Sequence, residues 1–155
     1  MQRLKKLYGL SVLLAVGVGG LSGFLSRNGM KEYASLKRPP LSPPGAVFPV
    51  VWTILFILMG IGAAMVWLTR RTERVRALAV YGIQLAVNFF WSILFFREGM
   101  RLLAFFWLLL LLGLVALMIR LFDRVSRTAA WLQLPYFFWL CFAAYLNLGV
   151  WWLNR

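Results

Sequence analysis

Gln84, Asn88 and Trp91 fall at i, i+4 and i+7, which puts two amides and an indole on one stripe of a helical repeat. A second stripe, Tyr136, Trp139, Ala143 and Asn147, runs at i, i+3, i+7 and i+11, with the small Ala143 leaving a gap between large neighbours. Phe48, Pro49 and Trp52 open a third apolar run. Side chains of these types do not break bonds by acid, base or nucleophile. They can wall a cavity with aromatic faces and orient a small molecule with a few hydrogen bonds. The competing reading is structural. Amides in a bilayer bond helix to helix, and tryptophans near helix ends, as Trp67, Trp131, Trp151 and Trp152 are, anchor them at the headgroups. Polar and aromatic stripes coincide on three runs while a fourth is almost purely aliphatic, and that contrast favours a cavity.

The missing residue types exclude most other chemistry. The chain has no histidine and one cysteine, Cys141, so a Ser-His or Cys-His nucleophile and an internal disulfide are both out. Metal or haem-iron ligation would fall to Cys141 or a methionine, a poor set for most metals. None of the four acids, Glu32, Glu73, Glu98 and Asp123, lies in an apolar run, and no lysine does. Ion-coupled transport and a Schiff base therefore lack their usual residues.

The elements that must position these stripes follow from composition. Of 155 residues, 63% are apolar and 14% charged, with a mean hydropathy of +0.81, too few polar groups to cover a soluble core. The net charge of +13 comes from 17 Lys and Arg confined to short stretches between apolar runs. A nucleic-acid partner would need a continuous basic face; charges at the ends of runs instead anchor helices to lipid headgroups. No nucleic acid is expected, and the bilayer is the expected partner. Five runs are each long enough for one crossing, approximately 7–25, 46–69, 77–96, 102–119 and 128–153. None alternates as a barrel strand would. The fold class is an all-α membrane protein, a single domain over 1–155: a bundle of five transmembrane helices with a proline-rich loop between the first and second.

Three segments keep two readings each. The first run follows Lys5 and Lys6 as a signal peptide would, but its 19 residues exceed the usual apolar core and no Ala-x-Ala site closes it. Ser11, Ala15, Gly19 and Gly23 form a small-residue stripe on that run, suited to a dimer contact or to packing within one chain. The loop 26–45 carries Pro39, Pro40, Pro43 and Pro44, which predicts an extended, stiff strap acting as a lid or as a rigid linker. Pro135 is expected to kink the fifth helix. Basic residues number ten on the N-terminal side and seven on the other, which favours a cytoplasmic N-terminus.

Three blocks carry a family resemblance. Lys37-Arg38-Pro39-Pro40-Leu41-Ser42-Pro43-Pro44-Gly45 with Val47-Phe48-Pro49-Val50-Val51-Trp52-Thr53 resembles the signature of the TspO/translocator protein family, also called tryptophan-rich sensory protein or peripheral-type benzodiazepine receptor. Gln84 to Ser92, and Leu134-Pro135-Tyr136 with Trp139, Ala143 and Leu146-Asn147, are similar to its other two blocks. The resemblance implies a five-helix bundle, commonly a homodimer, that binds porphyrins, sterols and synthetic ligands in a cavity to which Trp52, Asn88 and Trp139 correspond. It also implies that Trp52 and Trp139 take part where porphyrin is broken down in light.

Two departures qualify this. The end of the fifth run, Leu146-Asn147-Leu148-Gly149-Val150-Trp151-Trp152, lacks the tyrosine and cation of the sterol pattern, which counts against a sterol. Ile93 follows Ser92 where many members have proline, which leaves the third helix straighter. The expectation is a membrane receptor or sensor for a tetrapyrrole, free porphyrin rather than haem, with Phe48, Trp52, Gln84, Asn88, Trp91, Tyr136, Trp139, Ala143 and Asn147 as ligand-binding residues. Lys37 and Arg38 would meet the porphyrin carboxylates. No cofactor is required; porphyrin is ligand or substrate. The alternatives are a light-dependent porphyrin-degrading enzyme and a carrier of tetrapyrroles or lipids without ion coupling. Compact loops suit a bacterial inner membrane.

Overall fold

A computed structural model describes residues 1–155, all helix and connection. The helices are α1 (Gln2–Leu25), α2 (Arg27–Tyr33), α3 (Val47–Leu68), α4 (Glu73–Ser92), α5 (Arg101–Val125), α6 (Arg127–Trp131) and α7 (Leu134–Leu153). A π-turn, Ile93–Arg97, continues α4. Five segments are long and apolar enough to cross a membrane: α1, α3, α4 with its π-turn, α5, and α6 with α7. α1 begins, α4 begins and α5 ends four to six residues beyond the uncharged runs, because these helices continue into the basic stretches, while α3 stays within its run. Large apolar side chains such as Leu13, Ile83, Phe106 and Phe138 stand exposed on the outer faces, the surface a lipid-solvated bundle presents.

α5 is the scaffold. It lies against α4, α6 and α7, and Leu108, Leu111, Val115, Met118 and Phe122 are fully buried at helical spacing. Its aliphatic composition thus serves packing.

The small-residue stripe of α1 faces α3. Ser11 Oγ donates to the Gly60 carbonyl at 2.7 Å, and Ala15 is wholly buried. A Cβ on Gly60 would run into the Val12 backbone, and one on Gly19 into the Phe56 ring. Small residues on both helices allow this approach. Ser11, Ala15 and Gly19 of the stripe are thus used within one chain, whereas a Cβ on Gly23 would meet open space.

Three expectations for the connections are corrected. The loop 26–45 is not extended throughout, since α2 occupies its first part. Only the following segment is proline-stiffened, and it is fastened to α7: Asn154 bonds Lys37, the Tyr145 hydroxyl donates to the Pro40 carbonyl at 2.6 Å, and Pro39 fills the space above Gly149. The fifth crossing is broken rather than kinked. α6 starts on Ser126, whose Oγ accepts from Ala129 N. It ends at Leu132 and Gln133, and Pro135 sits in the first turn of α7, where its missing N–H costs nothing. The buried Gln133 amide crosses the gap and donates to the Leu58 carbonyl of α3 at 3.1 Å. Finally, α4 does not continue straight past Ser92; Glu98 N–H reaches back five residues to the Ile93 carbonyl at 2.9 Å.

Candidate functional site

A cavity of about 330 Å³ lies between α1, α3, α4 and α7 on the side of the bundle that carries α2. α3 contributes Phe48, Trp52 and Phe56 at i, i+4 and i+8. α4 contributes Asn88, Trp91 and Ser92, and α7 contributes Trp139, Ala143 and Asn147. α1 offers only Gly19, Gly20, Ser22, Gly23 and Val16, so its backbone forms a low floor.

The aromatic wall is continuous. Trp52 sits perpendicular to Trp139 with ring centres 6.5 Å apart, and it lies 6.3 Å from Trp91. Phe48 meets Trp139 edge to face at 5.9 Å. Trp91 stacks on Phe95 at 5.3 Å. Such offset and edge-to-face pairs are the favoured aromatic geometries.

Two short hydrogen-bond chains hold the polar groups. Asn88 Nδ2 donates to the Tyr136 hydroxyl at 2.6 Å, which donates to Gln84 Oε1 at 2.7 Å. Gln84 Nε2 points to Met59 Sδ at 3.7 Å. In the other chain, Trp91 Nε1 donates to Asn147 Oδ1 at 3.1 Å, and Asn147 Nδ2 to the Arg101 carbonyl at 2.8 Å. Trp139 differs from Trp91, for its buried indole N–H finds no acceptor. In a low-dielectric interior a donor left unpaired is costly.

The sequence-derived residues therefore separate into groups. Phe48, Trp52, Asn88, Trp91, Trp139, Ala143 and Asn147 line the cavity together. Gln84 and Tyr136 do not; both are fully buried behind Asn88 and hold it in place. Gln84 lies one helical turn before Asn88 on α4, and Tyr136 bridges the two amides from α7. Lys37 and Arg38 are exposed and outside the wall. The Arg38 guanidinium stands 5.8 Å from the Tyr33 ring centre, and Tyr33 lines the cavity. Burial pushes the Tyr33 hydroxyl above the ordinary tyrosine value, and Arg38 pulls it back. Tyr33 thus faces the site as a neutral phenol.

Tyr33, Phe95 and Phe96 are lining residues that sequence reasoning missed. Tyr33 lies in α2, whose seven residues carry no apolar period to read. Phe95 and Phe96 lie on the π-turn at the end of the third run. Phe95 continues the stripe of Gln84, Asn88 and Trp91 at i+11, a signal that the sequence carried.

The profile of the TspO/MBR family matches residues 11–153. The chain is 37% identical to the tryptophan-rich protein TspO of Chlorobaculum tepidum, over 94% of this chain and 92% of that one. It is 34% identical to the tryptophan-rich protein TspO of Archaeoglobus fulgidus over 99% of both. It is 38% identical to the human translocator protein, over 84% of this chain and 79% of that one.

Proposed function

The chain belongs to the TspO/MBR family of integral membrane proteins, and on that premise we propose that its cavity binds a tetrapyrrole, a free porphyrin, as a receptor or sensor. The observation that carries this reading is the indole wall of Trp52, Trp91 and Trp139 closed by the Asn88 amide. Flat macrocycles gain most from stacked and edge-on aromatic contacts. The volume sits at the small end of the usual range for ligand sites, ~300–1,000 Å³. A macrocycle is therefore held partly inserted, with its carboxylate arms outward, towards the exposed side chains of Lys37 and Arg38. The absence of histidine favours a porphyrin without iron. The short loops suit a bacterial inner membrane.

The test is a porphyrin titration in nanodiscs, read by quenching of tryptophan fluorescence in the dark. Saturable quenching that Trp52→Leu and Asn88→Leu weaken is expected; quenching that stays linear with porphyrin overturns the reading.

A second reading is light-driven oxidation of the bound macrocycle by dioxygen, with Trp52 and Trp139 as redox-active neighbours. It is favoured by their direct edge-to-face contact on the cavity wall. Loss of the porphyrin absorption band under illumination, but not in the dark, separates it from simple binding.

A further inference from the structure

On the outer surface, a groove of about 420 Å³ runs between α3 and α7. Val51, Ile54 and Leu55 form one bank, and Pro135, Phe138 and Phe142 the other. All lie well inside the two crossings, and Ile54 and Phe138 are more than half exposed on the lipid-facing side. The groove is nearly free of polar surface. Its occupant at that depth is whatever the bilayer dissolves.

The groove and the internal cavity share one residue, Trp139. The backbones of α3 and α7 make few close contacts along this seam, and aromatic side chains fill the space. The wall between membrane and cavity is thus a single indole thick. Trp91 and Trp107 are each fixed by a hydrogen bond from their indole N–H. Trp139 is not, as its N–H has no acceptor, and it is held by edge contacts to Phe48 and Trp52 and a tilted contact to Phe142. Rotating it about χ1 and χ2 breaks no hydrogen bond.

We propose that the α3–α7 groove is a lipid-side entrance through which uncharged planar lipophiles dissolved in the bilayer reach the cavity, with Trp139 as the gate. This rests on the cavity being a binding site and adds the route and the ligand class. An uncharged ligand partitions into hydrocarbon and meets the groove at its own depth. A porphyrin with carboxylate arms is held at the headgroups by its charge and approaches from the side of α2 and the proline segment.

The test compares octaethylporphyrin, which has no acid groups, with mesoporphyrin, a dicarboxylate, in nanodiscs by stopped-flow tryptophan quenching. Ile54 lines the groove and not the cavity. Ile54→Trp fills the groove, and it is expected to slow both association and dissociation of octaethylporphyrin about tenfold while leaving its Kd unchanged. Ile54→Ala widens the groove and is expected to speed both. Mesoporphyrin rates are expected to stay the same in both variants. Ile54→Ala is a small change on a lipid-facing position, so it serves where the tryptophan variant fails to fold. Octaethylporphyrin rates that match wild type in the folded variants overturn the entrance, as does equal slowing of both porphyrins. Failure of either porphyrin to bind the wild type at all instead strikes the cavity reading itself.

Discussion

The Asn154 side chain pairs with the backbone of Lys37 on both edges, accepting the Lys37 N–H on Oδ1 at 3.0 Å and donating from Nδ2 to the Lys37 carbonyl at 2.7 Å. One amide at the end of the last helix therefore closes the proline segment onto the bundle across 117 residues of sequence. Stiffness alone would leave that segment free to swing as a body. Fastened at Lys37, Pro39 and Pro40, it can move freely only towards Gly45, which borders the cavity.

Asn154→Ala should release this fastening. The two exposed hydrogen bonds to Lys37 and a third, partly buried one from Nδ2 to the Val150 carbonyl are lost, worth about 0.5–1.5 kcal/mol each. The amides around Lys37 should exchange hydrogen several-fold faster, and bound porphyrin should dissociate faster. Exchange mass spectrometry and a chase experiment read both. Pro43→Gly and Pro44→Gly loosen the free end and should speed release too, whereas unchanged rates in all three variants would make the segment a linker.

Asn88→Leu should weaken porphyrin binding at least about tenfold, one hydrogen bond's worth. The fold should lose only ~0.6–1.7 kcal/mol, since Tyr136 still donates to Gln84. Gln84→Leu is the contrast: it removes a residue behind the wall, so thermal stability in detergent should fall while affinity changes little. Equal affinity loss in both would mean that the layer behind Asn88 shapes the site as strongly as the wall.

Gly60→Leu should destabilise the single chain by about 1–3 kcal/mol, because its side chain meets the Val12 backbone. Gly19→Leu should act likewise through Phe56. Melting temperatures should drop at any protein concentration. A variant that melts like wild type but changes oligomer size in sedimentation would move the small-residue stripe from α3 to a second copy.

Trp52→Phe and Trp139→Phe keep an aromatic wall but remove the easily oxidised indole. Binding should survive with a modest loss, and illuminated porphyrin should be spared. Trp67 and Trp152 are exposed near helix ends, so their phenylalanine variants should behave as wild type. Degradation at the wild-type rate in all four variants would leave a receptor that only binds.

The crossings were legible because a bilayer admits only uncharged helices of one length, and the basic residues mark where each stops. The cavity stripe through Asn88, Trp91, Trp139 and Asn147 was legible because polar groups in lipid must face inward. What periodicity does not carry is depth. Gln84 lies on the same stripe as Asn88, yet one is fully buried behind the wall and the other lines the cavity, and only the three-dimensional spread of the helices decides which. Short elements escaped for a different reason. α2 and the π-turn hold seven and five residues, shorter than the window of roughly 11–18 residues over which a period is read, and Pro135 reads alike as a kink or as a helix start.

The π-turn carries two of the rings that line the cavity, Phe95 and Phe96. Phe95 continues the stripe of Gln84, Asn88 and Trp91 at i+11, and Phe96 follows it. Their ring centres lie 4.8 Å apart. A π-turn is an α-helix holding one residue too many. Deleting a single residue between 93 and 97 would let the helix regularise and would turn every side chain after the deletion by one helical position. The facing of the segment from Ile93 to Arg97 is thus written in its count of residues, and a same-length substitution there would leave it standing.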